Sequence, residues 1–286
     1  VTGGSGFIGS NFIRYLLSQS EFEGRIINVD KLTYAGNPLN LKDISEANPV
    51  RYVFRRADIV DADVISALFA EYEIDTVVHF AAESHVDRSI HGPAEFIRTN
   101  VNGTFSLLEA ARAHWDGRND VLFHHVSTDE VFGSLGPTGL FREDTPYDPR
   151  SPYSASKASS DHIVRAYYHT YGMPITLSNC SNNYGPYHFP EKLVPLMILN
   201  MLDGKALPVY GDGKNIRDWL YVEDHAEAIW AIISRGRSGE SYNVGGENEW
   251  ENLTLVHRLC EIVAEEAGRD ADELKSLVTF VTDRKG

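Results

Sequence analysis

Short apolar runs alternate with segments of helical periodicity through the first half of the chain. The runs at 25–29, 75–81 and 121–126 are dominated by apolar residues and have the length of buried strands. Between them, 7–17 and 100–113 carry apolar residues at the three- and four-residue spacing of amphipathic helices. A strand, a helix and a second strand in succession form a βαβ unit with parallel strands. The pattern therefore predicts an α/β fold built on a doubly wound parallel Rossmann sheet.

The pattern becomes irregular after an apolar run at 175–177. Four prolines between 186 and 208 and several glycines interrupt it, and a helical pattern returns at 223–234. This change predicts a smaller C-terminal substrate-binding region that is interleaved with the Rossmann domain. The predicted ranges are 1–183 with about 219–246 for the Rossmann domain, and about 184–218 with 247–286 for the smaller region.

Charge and composition narrow the classes of partner. The chain has 26 Lys and Arg against 41 Asp and Glu, a net charge of −15, which disfavours nucleic acid and anionic membranes as partners. A small phosphorylated ligand is compatible, because a helix N-terminus and a few local cations can hold a diphosphate. The 2 cysteines are too few for a disulfide framework. No apolar stretch has the length of a membrane span and no signal sequence is recognisable, so we expect a cytoplasmic protein.

A glycine-rich loop opens the chain. Residues 4–9 fit GxGxxG, and Gly3 extends the match to the GxxGxxG spacing. Such loops let the backbone approach a pyrophosphate at a helix N-terminus. Asp30 ends the second strand, where a carboxylate accepts hydrogen bonds from the adenosine ribose and repels a 2′-phosphate. The loop therefore predicts NAD rather than NADP, although the neighbouring Lys31 weakens the inference; the alternative is a glycine turn with a solvated aspartate.

Tyr153 and Lys157 form a YxxxK pair, which places both side chains on one face of a helix. A nearby ammonium would lower the tyrosine pKa and make Tyr153 a base for a substrate hydroxyl. In the alternative interpretation, Tyr153 packs in the core and Lys157 extends to the surface.

Two adjacent carboxylates follow the predicted strand at 121–126. They belong to Thr128-Asp129-Glu130, at the carboxyl end of the strand, where open α/β sheets bind their ligands. Neighbouring like charges separate the titrations of an acid and a base. The segment is a candidate acid–base site, and the alternative is a strand-end aspartate that caps a helix.

Further motifs at 81–89, 180–187, 190–193 and 215–219 accompany the glycine loop, Thr128-Asp129-Glu130 and the Tyr153/Lys157 pair. Together they resemble the dTDP-glucose 4,6-dehydratases, a family of extended short-chain dehydrogenases that act on nucleotide sugars. The resemblance runs from Val1 to about Asn252. The chain departs from the family pattern at both ends, where we expect it to be truncated.

The resemblance implies a net redox-neutral reaction. NAD takes a hydride from C4 of the glucose, water leaves across C5 and C6, and the hydride returns to C6. By the same resemblance, Tyr153 removes the 4-hydroxyl proton, Thr128 positions that oxygen and Lys157 tunes the tyrosine. Glu130 then takes the C5 proton, and a protonated Asp129 delivers a proton to the departing 6-hydroxyl.

The resemblance also implies two sets of binding residues. Those expected at the NAD site, besides Tyr153 and Lys157, are Gly3, Gly6, Phe7, Ile8, Gly9, Asp30, Lys31, Leu32, Thr33, Asp58, Ile59, Ala81, Ala82, Ser84 and Thr99. Those expected to face the sugar nucleotide are Ser84, Thr128, Asn182, Glu191, Lys192, Leu193, Pro208, Tyr210, Arg217 and Asn252. Arg217 is the best diphosphate candidate, because a guanidinium can bond two oxygens at once; the alternative is a surface salt bridge with Asp218.

Other functions stay open. A nucleotide-sugar 4-epimerase would share the loop and the Tyr153/Lys157 pair, but it needs no acid–base pair for elimination, so Asp129-Glu130 favours a dehydratase. A dehydratase of another NDP-hexose, such as UDP-glucose, is a further alternative, because one methyl group separates thymine from uracil and is worth roughly 1–3 kcal/mol. A GDP-mannose-type dehydratase usually favours NADP, which Asp30 disfavours. A catalytically silent NAD-binding sensor is the alternative from another class.

Two remaining expectations concern metals and assembly. The 11 histidines include His124-His125, but no HxH or HExxH arrangement accompanies them, so we predict core histidines and no catalytic metal. The family usually forms homodimers through two long helices, and 100–113 and 154–170 are candidates. Their apolar stripes would equally suit packing within one chain.

Overall fold

A computed structural model describes residues 1–136 and 138–283. The chain divides into two compact units. The first unit is Val1–Cys180 with Val222–Val244, and the second is Ser181–Tyr221 with Gly245–Gly286. The sequence analysis placed these changes at about 183/184, 218/219 and 246/247. The predicted end of the second region, 284–286, lies outside the described residues.

The elements follow one another as α/β units in the first part of the chain. The strands are β1 (Ile26–Asp30), β2 (Tyr52–Arg56), β3 (Thr76–His79), β4 (Leu122–Thr128), β5 (Ile175–Cys180), β6 (Asn182–Tyr184), β7 (Leu207–Tyr210), β8 (Ile216–Tyr221), β9 (Ser241–Val244), β10 (Glu249–Glu251) and β11 (Val278–Val281). The α-helices are α1 (Phe7–Ser18), α2 (Lys42–Ala47), α3 (Ala62–Tyr72), α4 (Val86–His91), α5 (Pro93–Phe96), α6 (Thr104–His114), α7 (Pro152–Tyr171), α8 (Leu193–Asp203), α9 (Val222–Arg235), α10 (Asn252–Ala267) and α11 (Ala271–Lys275). The 3₁₀ turns are Pro38–Leu41 and Asp129–Phe132, and Ile97–Gly103 is a π-helix.

The first unit contains a parallel sheet. Strands β3, β4, β5 and β9 are neighbours in that order, and β1 pairs with β2. Thr2 forms parallel bridges with Val29 of β1 and His79 of β3, so the residue before the glycine loop lies between these strands. All of these pairings are parallel, as the alternation of strand and helix predicted.

Helices cover both faces of this sheet. Val77 and Val78 are consecutive in β3 and point to opposite faces, as strand geometry requires. Val77 packs in a core with α3, α6 and α7, whereas Val78 packs in a second core with α1 and α9. The predicted doubly wound α/β fold is confirmed. Within the described ranges, every helix is too short or too polar to pass through a lipid bilayer.

The predicted helix at 100–113 differs in its first turns. Ile97–Gly103 is a π-helix, and the α-helical turns begin only at Thr104. The side chain of Asn100 is drawn into contacts with Glu83 and with α7. Apolar periodicity cannot distinguish a widened π-turn from α-helix, and such turns often occur at functional sites.

The second unit has a separate core. Strand β8 lies between β6, which is parallel to it, and β10, which is antiparallel. Strands β7 and β11 form a parallel pair. Helices α8, α10 and α11 pack with β7 around Met197, Met201 and Val256.

Candidate active site

The glycine-rich loop joins Thr2 to α1 by a close backbone packing. Gly3 has a φ of 69°, and a Cβ on it would lie 2.7 Å from the backbone of Ala81. A Cβ on Gly9 would lie 2.4 Å from the carbonyl oxygen of Gly3. The close packing therefore excludes a side chain at Gly3 and at Gly9, which explains why the loop has glycine at these two positions.

The first turn of α1 is built to accept an anion. Gly6 is the N-cap residue and supplies no side-chain cap, and the first turn contains no acidic residue. Phe7 and Ile8 occupy the first two helical positions. The positive end of the helix dipole favours phosphate at such a terminus. The turn fits the pyrophosphate of a dinucleotide.

Asp30 is oriented by backbone hydrogen bonds at the end of β1. Its Oδ2 accepts from the Ser5 N–H at 3.0 Å, and its Oδ1 accepts from the Leu32 N–H at 2.8 Å. Burial raises the pKa of this carboxyl, while the two backbone bonds oppose that shift. Leu32, which has a φ of 58°, and Thr33 follow shortly after Asp30 in the chain. The carboxylate is thereby held where the sequence predicts an adenosine ribose.

Lys31 is engaged with carboxylates. Its Nζ lies 3.0 Å from Asp58 Oδ2 and 3.4 Å from Glu95 Oε1. Arg98 pairs with the same two carboxylates, and the Thr99 hydroxyl donates to Glu95 at 3.3 Å. A lysine held by two carboxylates is a poor partner for a 2′-phosphate. Lys31 therefore argues less against NAD than its position next to Asp30 suggested.

The segment after β3 is clamped by Asn100. Asn100 Oδ1 accepts from the Glu83 N–H at 2.8 Å, and its Nδ2 donates to the Glu83 carbonyl at 3.0 Å and to Ser156 Oγ at 2.8 Å. The predicted ligand residues Ala81, Ala82 and Ser84 lie in this segment. The sequence analysis missed Asn100. The clamp joins this segment to α7, the helix that carries Tyr153.

Ile59, a predicted cofactor residue, lies in the hydrophobic core. It is 3% exposed and packs in the core with α3 and α6. Any contact with a cofactor would therefore involve its main chain.

Helix α7 has well-defined ends. Ser151 and Ser154 form a capping box, with Pro152 at the first helical position, and Gly172 ends the helix in the left-handed conformation. Tyr153 and Lys157 therefore lie in the first two turns. Both are buried.

The structure brings Tyr153 to the end of β4. Burial raises its pKa well above the ordinary value, and the charges of Glu130 and Asp129 add to the rise, whereas a hydrogen bond with the Thr128 side chain lowers it. The expectation that the Lys157 charge lowers the Tyr153 pKa stays a prediction. Lys157 Nζ donates to the Val126 carbonyl at 2.9 Å and lies 3.4 Å from His125 Nε2. The Val126 carbonyl on β4 therefore accepts from the ammonium.

Asp129 and Glu130 begin a 3₁₀ turn directly after β4. Strand β4 extends to Thr128, two residues beyond the predicted end at 126. The Glu130 N–H donates to Thr128 Oγ1 at 3.3 Å, and the Thr128 hydroxyl donates to Asp129 Oδ1 at 3.3 Å. Asp129 is half-buried and Glu130 is exposed. Thr128, rather than the aspartate, caps the turn, and the charges of both carboxylates raise the Tyr153 pKa.

The two strand histidines belong to the core. His124 lies between Thr176 Oγ1 at 2.9 Å and Ser178 Oγ at 3.2 Å. Burial lowers the pKa of His124 to about 3 and that of His125 to about 4, so both are neutral near pH 7. Across 1–136 and 138–283, no three His, Cys, Asp or Glu side chains are grouped to hold a metal ion.

The second unit contains the predicted sugar-nucleotide residues other than Ser84 and Thr128. Arg217 lies in β8, opposite Trp250 of β10. Asp218 accepts from the Gly246 and Asn248 N–H groups, each at 2.7 Å, so it is engaged with a loop. The alternative of an Arg217–Asp218 salt bridge has no support among the described ion pairs.

The remaining predicted residues of the second unit lie close to element boundaries. Asn252 is the first residue of α10, and its Oδ1 is buried without a hydrogen-bond partner among the described residues. A ligand donor could fill this position. The others are Asn182 in β6, Glu191 and Lys192 before α8, Leu193 at the start of α8, and Pro208 and Tyr210 in β7.

Comparison with known proteins identifies the family. A family profile described as GDP-mannose 4,6 dehydratase matches residues 1–286. A relative from Sinorhizobium fredii (strain NBRC 101917 / NGR234), named "Probable dTDP-glucose 4,6-dehydratase", is 57% identical over 291 residues, which are 100% of this chain and 81% of the relative. The dTDP-glucose 4,6-dehydratase 1 of Escherichia coli (strain K12) is 53% identical over 300 residues, with 100% and 82% covered.

Similar solved structures include members of the same family. The dTDP-glucose 4,6-dehydratase of Bacillus anthracis str. Ames, in complex with NAD, has a TM-score of 0.86 and 47% identity, covering 99% of this chain and 83% of that one. The Streptomyces venezuelae enzyme of the same name has a TM-score of 0.90 and 46% identity, covering 99% and 84%. A UDP-glucose 4-epimerase from Thermotoga maritima has a TM-score of 0.85 at only 27% identity, covering 100% and 85%. The fold is thus shared with epimerases, whereas the higher identity is with the dehydratases, and the chain belongs to the dTDP-glucose 4,6-dehydratase family of extended short-chain dehydrogenases.

Proposed function

We propose that the protein is an NAD-dependent hydro-lyase that converts dTDP-glucose to dTDP-4-keto-6-deoxyglucose. One observation carries the proposal: the buried Tyr153 side chain lies close enough to Thr128, Asp129 and Glu130 for all three to influence its pKa. Epimerisation at C4 needs a base for one hydroxyl, whereas elimination of water needs an acid and a base in addition. The cluster supplies all three, and the names of the similar proteins support the substrate.

The residues of the first unit fit NAD. The uncapped start of α1 at Gly6 would hold the pyrophosphate, and the oriented carboxylate of Asp30 would hold the adenosine ribose. Because Gly3 packs closely against the Ala81 backbone, the loop carries no side chain at this position. The chemistry that bound NAD supplies is acceptance of a hydride from C4 and its return to C6.

Tyr153 would remove the proton of the 4-hydroxyl while Thr128 orients that oxygen. Burial and the nearby carboxylates raise the Tyr153 pKa in this structure, so the phenolate requires positive charge nearby when it forms. Lys157, one helical turn along α7, would supply such charge and hold the nicotinamide ribose. Removal of this proton is the first task of the site.

The carboxylate pair would perform the elimination. Glu130, exposed beside Tyr153, would take the C5 proton, and Asp129 would give a proton to the departing 6-hydroxyl. Asp129 accepts a hydrogen bond from Thr128 at 3.3 Å, which fixes one of its oxygens. Two adjacent carboxyls can share one proton because like charges disfavour double ionisation.

The second unit would hold the sugar nucleotide. We assign the diphosphate to Arg217, whose guanidinium is exposed and donates to the Ile216 carbonyl at 2.9 Å. The residues proposed to contact the remainder are Asn182, Glu191, Lys192, Leu193, Pro208, Tyr210 and Asn252.

The proposal extends to assembly and location. A homodimer through α6 and α7 is supported by the exposed aromatic side chains of Phe105 and Tyr171 on these helices. A cytoplasmic location is supported by Cys180 and Cys260, which are both buried as thiols.

The test uses dTDP-glucose deuterated at C4, with UDP-glucose in a parallel reaction. NAD-loaded protein is incubated in ordinary water and the products are followed by NMR. Deuterium at C6 of a 4-keto-6-deoxy sugar is the expected outcome, and the faster nucleotide names the substrate. In the matched variant Glu130→Gln, we expect absorbance of reduced nicotinamide to develop without elimination.

Other outcomes would contradict the proposal. A C4-inverted product would indicate an epimerase. No reaction with either nucleotide, from protein shown to bind NAD, would indicate another sugar nucleotide or a silent sensor.

A further inference from the structure

The sequence analysis missed a buried carboxylate on α7, one helical turn beyond Lys157. Asp161 is 0% exposed and continues the i, i+4 spacing of Tyr153 and Lys157 along α7. Its Oδ2 accepts from Ser127 Oγ at 2.8 Å and from the Tyr147 hydroxyl at 3.0 Å. An unpaired charge at such depth would be strongly destabilising, so these partners have a structural purpose.

The partners of Asp161 come from two segments of the site. Ser127 and His125 belong to β4 and flank Val126, the residue that binds Lys157. Tyr147 belongs to the loop between the Asp129–Phe132 turn and α7. Asp161 thus links the strand that ends at Thr128 to the helix that carries Tyr153.

Lys157 and Asp161 approach the same imidazole nitrogen. His125 Nε2 lies 3.4 Å from Lys157 Nζ and 3.1 Å from Asp161 Oδ1. The Ser160 hydroxyl donates to the Lys157 carbonyl at 2.8 Å, and its oxygen lies 3.2 Å from the same nitrogen. The ammonium and the carboxylate therefore both lie next to one ring nitrogen of a histidine that burial keeps neutral near pH 7 by lowering its pKa to about 4.

We propose that Asp161 is a positioning residue for the Tyr153–Lys157 pair, which keeps the buried Lys157 ammonium charged and holds α7 in register with the catalytic end of β4. The inference rests on the proposed function, because the charge of Lys157 matters there as the support of the Tyr153 base. Asp161 itself touches no reacting atom; it acts through Lys157, Ser127 and Tyr147.

The electrostatics agree with this geometry. Burial lowers the pKa of Lys157, and the Asp161 charge is the largest influence that raises it. Burial would raise the pKa of Asp161, but hydrogen bonds with His125 and Ser127 and the Lys157 charge bring it below its ordinary value. Each charge therefore favours the charged form of the other.

Other titratable groups face the pair from the surrounding elements. Cys180 on β5 also raises the Lys157 pKa. Beyond it, His79 on β3 lies with its ring centroid 5.2 Å from that of His125. Arg165 on α7 donates to the Tyr147 hydroxyl at 3.1 Å. Burial keeps both histidines neutral near pH 7 by lowering their pKa values. The Cys180 thiol is therefore the titratable group that acts on the Lys157 pKa together with Asp161.

The test compares Asp161→Asn with Tyr147→Phe. The first variant keeps the shape of the side chain but removes its charge, whereas the second removes one hydrogen bond to the same carboxylate and leaves the charge. The readouts are the nitrogen-15 NMR titration of the Lys157 ammonium and the pH dependence of kcat and KM for dTDP-glucose. The Lys157 signal is assigned with Lys157→Arg.

In Asp161→Asn we expect the Lys157 titration and the alkaline limb of kcat to move down by about one pH unit, the lower end of the effect of an opposite charge. KM should stay within about twofold of the wild-type value, because no substrate contact is removed. In Tyr147→Phe both curves should stay in place. An unshifted titration in Asp161→Asn, or an equal shift in both variants, would overturn the inference.

Should Asp161→Asn not fold, the wild-type titration decides. The inference requires Lys157 to remain protonated up to at least about pH 8 despite its burial, and a neutral Lys157 at about pH 7 would overturn it. The titration needs no turnover. A wild-type protein without dehydratase activity would defeat the proposed function and leave this test intact, whereas an active enzyme with an unshifted Asp161→Asn titration would defeat the inference alone.

Discussion

Gly9→Ala tests whether the third glycine of the loop is required for packing rather than for ligand contact. The added Cβ would lie 2.4 Å from the Gly3 carbonyl oxygen and 2.8 Å from Gly4 Cα. The Gly3 peptide groups are held by two hydrogen bonds. The Gly3 carbonyl accepts from the Gly6 N–H at 3.1 Å, and the Gly3 N–H donates to the Val29 carbonyl at 2.9 Å. Helix α1 must therefore move away from the loop by about 1 Å to restore ordinary contact.

Overpacking of this kind costs about 1–3 kcal/mol, and a fixed backbone favours the upper half of that range. The greater helix propensity of alanine offsets about 1 kcal/mol. We therefore expect a net loss of about 1–2 kcal/mol in the free energy of unfolding. For a domain of this size, that corresponds to a decrease in Tm of roughly 2–8 °C.

Gly6→Ala is the matched control. Gly6 has an ordinary φ of −78°, and the nearest atom to its added Cβ is the Gly3 oxygen at 3.3 Å. We expect its Tm to stay within about 2 °C of the wild type, a change of at most about 0.5 kcal/mol. Its affinity for NAD should nevertheless fall by at least about tenfold, because the methyl group would occupy the pyrophosphate position. Thermal unfolding and NAD titration calorimetry, both on nucleotide-free protein, separate the two effects. The reasoning is refuted if Gly9→Ala is as stable as wild type, or if Gly6→Ala is the less stable variant.

Three further predictions concern other parts of the molecule. Asn100→Ala should lower the free energy of unfolding by about 1–3 kcal/mol in urea titrations, because the half-buried N–H and carbonyl of Glu83 lose their partner; an unchanged free energy of unfolding would contradict a clamping role of Asn100. His124 and His125 have folded pKa values of about 3 and about 4, below the value near 6.5 expected in the unfolded chain. The unfolded state therefore gains protons first on acidification, and stability should be flat above about pH 6.5 and fall from there towards about pH 4; equal urea midpoints at about pH 5 and about pH 7 would contradict this. Arg217→Lys should raise KM for dTDP-glucose by about tenfold through loss of a bidentate contact at an unchanged Tm, and an unchanged KM would remove Arg217 from the diphosphate site.

The confirmed parts of the sequence analysis rest on local patterns. The runs at 25–29, 75–81 and 121–126 predicted buried strands because both faces of a parallel sheet are covered, which requires continuous apolar sequence. The glycine loop was recognisable because close backbone approach tolerates no side chain. The assignments of individual binding and catalytic residues came from resemblance to a family and stay predictions.

The differences arise where distant residues meet. The π-helix at Ile97–Gly103 contains Asn100, whose side chain contacts Glu83, 17 residues away, and apolar spacing does not indicate such a contact. The Lys157 ammonium donates to the Val126 carbonyl, 31 residues away, a partner that the sequence analysis did not predict. A YxxxK spacing places two side chains on one helix face but does not say what packs against that face.

By itself the amino-acid sequence determined the α/β class, the βαβ order, the dinucleotide loop and the acidic pair after β4, because periodicity, glycine geometry and strand ends are local properties. Only the tertiary structure decided the direction of the Tyr153 pKa, the capping role of Thr128 and the place of Asp161 beneath Lys157. These depend on burial and on charges brought together by strands and helices far apart in the chain. Electrostatic energies vary with local dielectric and distance, and neither quantity exists until the chain has folded.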